Sequence, residues 1–153
     1  MTHAVAYSVE VIRRCRELPR AGGWPVDDPQ VGTGEVGSLD GGTMTRLQVR
    51  LNASGDVIDD ARFKVFGCSA AIASASLAAD RVVGQGVAAV RALDAEVLAE
   101  ALDLPEDKRA MAAHAVAAVR AAIADWERKA GARGSGLGAQ SSEARGPALE
   151  GQR

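Results

Sequence analysis

Cysteine is scarce in this chain of 153 residues, with only Cys15 and Cys68, far apart in sequence and in different surroundings. That excludes a disulfide framework and a self-contained Cys-x-x-Cys metal clip. Aromatic residues are also few, at 3%, and alanine does much of the apolar work, which points to closely packed helices. No apolar run approaches the roughly 20 residues needed to span a bilayer, so no membrane contact is expected. Residues 1–14 lack the basic start and apolar stretch of a signal peptide, which makes a cytoplasmic protein the expectation. The formal net charge of −2 leaves no basic excess for binding nucleic acid. No Ser–His–Asp arrangement or phosphate loop stands out. Gly32-Thr33-Gly34 and Gly37 do not open a helix in a βαβ unit, so dinucleotide binding is not expected.

What is present is ordinary for a soluble globular protein: 47% hydrophobic and 25% charged residues, enough for one domain with a real core. Val5, Val9, Ile12 and Cys15 recur at helical spacing, which predicts an amphipathic helix over residues 5–18, ended by Pro19. Arg13, Arg14 and Arg16 then form a small basic face on it. Residues 20–34 are rich in Gly, Pro and Asp and read as a long loop, with Trp24 as a packing anchor. Glu35 and Val36 read as a short strand before a loop over residues 37–42. Leu47, Val49 and Leu51 alternate with polar residues, as do Ala61, Phe63 and Val65 beyond the turn at residues 52–56. This is a hairpin with one dry face and one wet face.

Everything after Gly67 reads as helical. Ile72, Ala75, Ala79 and Val82 mark one face, with Gly84 as a stop. A short turn or helix covers residues 87–93. Asp94 N-caps a helix that buries Val97, Leu98 and Ala101. Pro105 opens the last helix, with Glu106 and Asp107 in its first turn. Met111, Ala115, Val119, Ala122 and Trp126 line its inner face to about Lys129. Residues 130–153 are rich in Gly, Ser and Ala without an apolar period and are expected to be disordered. The fold class is α+β: an N-terminal helix, a three-stranded antiparallel sheet, then helices packed on one face. One domain over residues 1–129 precedes a tail over 130–153.

Several segments carry a family resemblance. Residues 60–76 read Asp60-Ala61-Arg62-Phe63-Lys64-Val65-Phe66-Gly67-Cys68-Ser69-Ala70-Ala71-Ile72-Ala73-Ser74-Ala75-Ser76. Ala6-Tyr7-Ser8, residues 31–39, Leu104-Pro105-Glu106-Asp107-Lys108 and Ala121-Ala122-Ile123-Ala124-Asp125-Trp126 keep the same order. Over roughly residues 5–129 the chain resembles the iron–sulfur cluster scaffolds, IscU and the N-terminal domain of NifU. The resemblance implies a non-enzymatic protein that builds a [2Fe–2S] cluster on itself. It further implies a cysteine desulfurase as sulfur source, recipient proteins that accept the cluster, and often chaperone help.

The departures from that pattern concern the site. The family's first cysteine falls on Gly41 and its Asp on Thr43, while its His-Cys pair falls on Ala110 and Met111. Only Cys68 is kept. Glu106 and Asp107 alter the chaperone-type segment, which counts against a chaperone partner. The resemblance therefore implies a degenerate member, an adaptor or regulator working with the desulfurase or with recipients. Two alternatives stand beside it: a persulfide carrier through Cys68, and a binder of labile iron or [2Fe–2S] across a homodimer.

Cys68 sits where a strand gives way to a helix, a position that favours a reactive thiolate, against the alternative of a packed small side chain. Asp40 is a candidate oxygen ligand beside the lost cysteine position, or a turn former. His114, four residues after Ala110 on the same helix face, is a candidate ligand or a packed histidine. Cys15 and Met111 read as packing residues.

Overall fold

The computed structural model describes residues 6–38 and 40–138. Strands β1 (Val31–Ser38), β2 (Thr43–Leu51) and β3 (Ile58–Phe66) form one antiparallel sheet in the order β1-β2-β3. The alternation of Leu47 and Val49 with polar neighbours sets the register, because these two sit opposite Phe63 and Ala61 on the buried face. Asn52 holds the intervening turn by accepting from the backbone N–H groups of Asp56 (3.1 Å) and Val57 (3.3 Å).

The outer face of the sheet is not uniformly wet. Gln48 is buried there, because the loop after the first helix is strapped across it. Its side-chain oxygen accepts from Trp24 N (2.8 Å), and its Nε2 donates to Trp24 O (2.9 Å) and Thr33 Oγ1 (2.9 Å). The Trp24 ring anchors the loop, with the guanidinium carbons of Arg50 and Arg62 at 5.1 and 4.9 Å from its centre.

Helix α1 (Val9–Glu17) is N-capped by Ser8, whose Oγ accepts from Val11 N (3.2 Å) and donates to Leu102 O (2.7 Å). Its orientation departs from the expected stripe: Val9 is 82% and Ile12 48% exposed, while Val11 and Arg14 are buried. Arg14 takes the inner face because every direction it points offers an acceptor: Glu10 Oε2 (2.7 Å), Ser76 Oγ (2.9 Å) and Asp80 Oδ2 (2.6 Å). The three arginines therefore do not form one solvated face, and Arg13 is itself paired with Glu10 and Glu17. Val5 lies outside the described residues.

Helix α2 (Ser69–Val82) is small-residue-rich and buried on nearly all sides, with Ile72 only partly covered. It stops before Gly84, whose φ of +83° suits glycine. After the short α3 (Val87–Arg91), α4 (Ala95–Ala101) is capped by Asp94 and buries Leu98 and Ala99. Val97 and Ala101 are exposed instead, a rotation of the expected face that lets Leu98, Ala99 and Leu102 reach the core together. Pro105 precedes a 3₁₀ turn, Glu106–Lys108, before α5 (Ala110–Gly138) begins. That helix runs past Lys129, so residues 130–138 of the expected tail are helical; residues 139–153 lie outside the described residues.

Strand β1 begins at Val31, ahead of the short strand expected at Glu35, because α5 lies directly on it. A Cβ on Gly32 would collide with the carbonyl of Ala122, and one on Gly34 with that of Ala118. The glycines that read as loop are the condition for close helix–strand contact. Asp125 accepts from Thr33 N (2.9 Å), and Lys129 Nζ donates to Val26 O (2.7 Å), Asp28 O (3.1 Å) and Val31 O (2.7 Å).

Candidate functional site

The β3–α2 junction is tight. Glycine at position 67 leaves room for Thr43, since a Cβ there would meet the Thr43 side chain at 3.1 Å and Ala71 at 3.5 Å. The start of β2 therefore sits directly against the residue before Cys68. Cys68 is the N-cap of α2, with extended backbone (φ −84°, ψ 172°), and its side chain makes no capping hydrogen bond. The thiol is half-buried. The first-turn N–H groups of a helix lack intrahelical partners, so this end of α2 presents positive partial charge beside the sulfur.

Cys68, Asp40 and His114 do not come together as one group of three. Asp40 is exposed in the β1–β2 turn, where Gly41 N donates to Ser38 Oγ (3.0 Å). His114 is half-buried early in α5, and its Nδ1 is buried without a hydrogen-bond partner among the described residues. Ala110 is exposed, and Met111 packs partly buried against the core. Among the described residues, no three His, Cys, Asp or Glu side chains come together to hold a metal ion. A [2Fe–2S] cargo needs four ligands, and the described residues of a single chain do not bring such a set together.

The structure does bring Cys15 to the site. α1 packs against α2, and Cys15 Sγ donates to the carbonyl of Ser69 (3.4 Å), the residue after Cys68. Burial pushes the Cys15 thiol above its ordinary range, and the charge of the neighbouring Cys68 adds to the shift. Fifty-odd residues of loop and sheet separate the two cysteines, so no spacing in the sequence signals their approach.

The surroundings carry exposed apolar surface. Phe66, two residues before Cys68, is 57% exposed. A cleft of about 620 Å³ on the outer sheet face, lined by Trp24, Gln48, Lys64 and Val65 among others, reaches Ile72, one turn into α2 from Cys68. No helix among the described residues is long and apolar enough to cross a membrane.

A helix, three antiparallel strands and further helices on one face, with a cysteine at the sheet-to-helix junction, define an α+β domain built around that junction. The chain belongs to the NifU-like N terminal domain family, whose profile matches residues 6–133. It is 38% identical over 127 residues to the iron-sulfur cluster assembly scaffold protein IscU of Azotobacter vinelandii, covering 83% of this chain and 98% of that protein. The IscU of Escherichia coli K12 is 38% identical over 125 residues, covering 82% and 97%. Among solved structures, the N-terminal part of a NifU-like protein from Brucella abortus superposes with a TM-score of 0.57 at 20% identity, covering 80% of this chain and 94% of that one.

Proposed function

We propose that this protein serves iron–sulfur cluster assembly in the cytoplasm as a scaffold-shaped adaptor or regulator for a cysteine desulfurase or for recipient proteins. It does not assemble a cluster on a single chain. One observation carries this reading: the family domain is kept across residues 6–133, while only Cys68 retains a ligand-type side chain among positions 41, 43, 68, 110 and 111. Exposed Phe66 and Ile12 offer apolar surface to a protein partner. Co-purification of the full chain with a cysteine desulfurase, and with cluster-accepting apoproteins, tests it. Binding to either supports the adaptor, and binding to neither overturns it.

A second reading is favoured by the Cys68 side chain, which is uncommitted to a cap at the positive end of α2. In it, Cys68 accepts sulfane sulfur from the desulfurase persulfide by thiol exchange and hands it on. Native mass spectrometry after anaerobic incubation with iron, cysteine and a desulfurase separates the readings. One added sulfur that is lost in Cys68→Ala supports the carrier. Iron plus sulfide on a homodimer instead supports labile cluster binding that draws on Asp40 and His114.

A further inference from the structure

α1 is held firmly across α2. Arg14 donates to Ser76 Oγ (2.9 Å) and Asp80 Oδ2 (2.6 Å), and Ser76 Oγ donates to Pro19 O (2.9 Å). This fixes Cys15 opposite the first turn of α2, with its Sγ on the Ser69 carbonyl at 3.4 Å. Both thiols are free and half-buried, on adjacent elements at the same end of the molecule. A persulfide on Cys68 carries its outer sulfur one S–S bond, about 2 Å, beyond Sγ.

We propose that Cys15 is a second sulfur-holding site, charged only through Cys68, so that the chain stores two sulfane sulfurs. The inference rests on the reading of Cys68 as a persulfide acceptor. The Cys15 thiolate attacks the outer sulfur of the Cys68 persulfide. A new S–S bond forms to Cys15 Sγ while the bond to Cys68 Sγ breaks. Cys68 leaves as a thiolate at the N-terminus of α2, where the helix favours negative charge, and takes up the proton that Cys15 released. The products are a Cys15 persulfide and a Cys68 thiol. No electron is gained or lost overall, so no oxidant or reductant is required, and Cys68 is free to be loaded again. Cys15 is turned inward onto the Ser69 carbonyl, so the sulfur donor nearest to it is the persulfide of the adjoining residue, Cys68, which is why the route runs through its neighbour.

The test uses the full chain, anaerobically, with cysteine and a cysteine desulfurase, followed by intact-mass measurement and peptide mapping. Wild type takes up two sulfur atoms, one on each cysteine. Cys15→Ser, which keeps a donor for the Ser69 carbonyl, takes up one, on Cys68, a twofold loss. Cys68→Ser takes up none on either residue. Direct loading of Cys15 in Cys68→Ser overturns the relay, as does a wild type that stops at one sulfur on Cys68. A Cys15–Cys68 disulfide with released sulfide overturns it too, since the inner thiol then discharges sulfur rather than holding it. No sulfur on wild type, from either the desulfurase or inorganic polysulfide, removes the Cys68 acceptor reading itself and the relay with it.

Discussion

Arg14 is the residue on which the N-terminal helix turns. It is 5% exposed, and three acceptors on α1 and α2 surround its guanidinium. A charge this buried is tolerable only because it is paired, and removing it takes one partner from Asp80 and one from Glu10, which keeps Arg13. Asp80 keeps Arg20 (3.0 Å) and both carboxylates reach solvent, which limits the loss. Arg14→Ala is expected to cost about 2 kcal/mol, measured by urea denaturation.

Asp80 also sets a pH dependence. Burial pushes its carboxyl up, but hydrogen bonds and charge from Arg14 and Arg20 outweigh burial and hold it below the ordinary carboxylate range. A group depressed in the fold contributes stability above its unfolded pKa of about 3.9, and that contribution is lost as pH falls through the lower folded value. Asp80→Asn is therefore expected to lower Tm at pH 7, and its gap from wild type to shrink as the pH falls below about 4. A gap that widens on acidification contradicts the pairing.

Among the elements, the contact between α5 and β1 is the tightest constraint. Gly34 faces the backbone of Ala118 and Ala122, and neither can move without shifting a turn of helix. Gly34→Ala is expected to destabilise the fold by about 1–3 kcal/mol or more through overpacking, read as a fall in Tm in thermal melts. Gly42→Ala, where a Cβ meets nothing within 4 Å, has a positive φ of 86° and shows the backbone cost alone. If Gly34→Ala costs no more than Gly42→Ala, close helix approach is not the reason for glycine at 34. The same close packing explains two element boundaries. β1 runs from Val31 because glycine there admits a helix. Residues 20–30, rich in glycine and proline, are irregular as expected but tied down through Gln48 and Lys129.

For the whole molecule, the position of the site matters more than its present chemistry. The start of β2 and the β3–α2 junction meet beside Cys68, and Thr43 touches the space around Gly67. The family resemblance implies ligands at positions 41, 43, 110 and 111, which here hold Gly, Thr, Ala and Met. Restoring them together, as Gly41→Cys, Thr43→Asp, Ala110→His and Met111→Cys, is expected to give a chain that takes up iron and sulfide with visible absorption of a [2Fe–2S] species, while wild type at the same concentration does not. Absence of that absorption in a folded variant shows that the domain has lost more than its ligands.

The sequence by itself determined the family, the α+β class, the hairpin and its dry face, because these follow from local periodicity, turn chemistry and the ordered segments around residues 60–76. It also shows that, of the five positions the resemblance marks as ligands, only Cys68 carries a Cys, Asp or His. Tertiary structure alone decided which face of α1 turns inward, since a buried Arg14 depends on acceptors some sixty residues away. It decided why Gly32 and Gly34 are glycine, because the colliding atoms belong to a helix at the other end of the chain. It also decided that Cys15 lies beside Cys68. Periodicity reports on neighbours within one element, whereas these three features depend on atoms that only packing brings together.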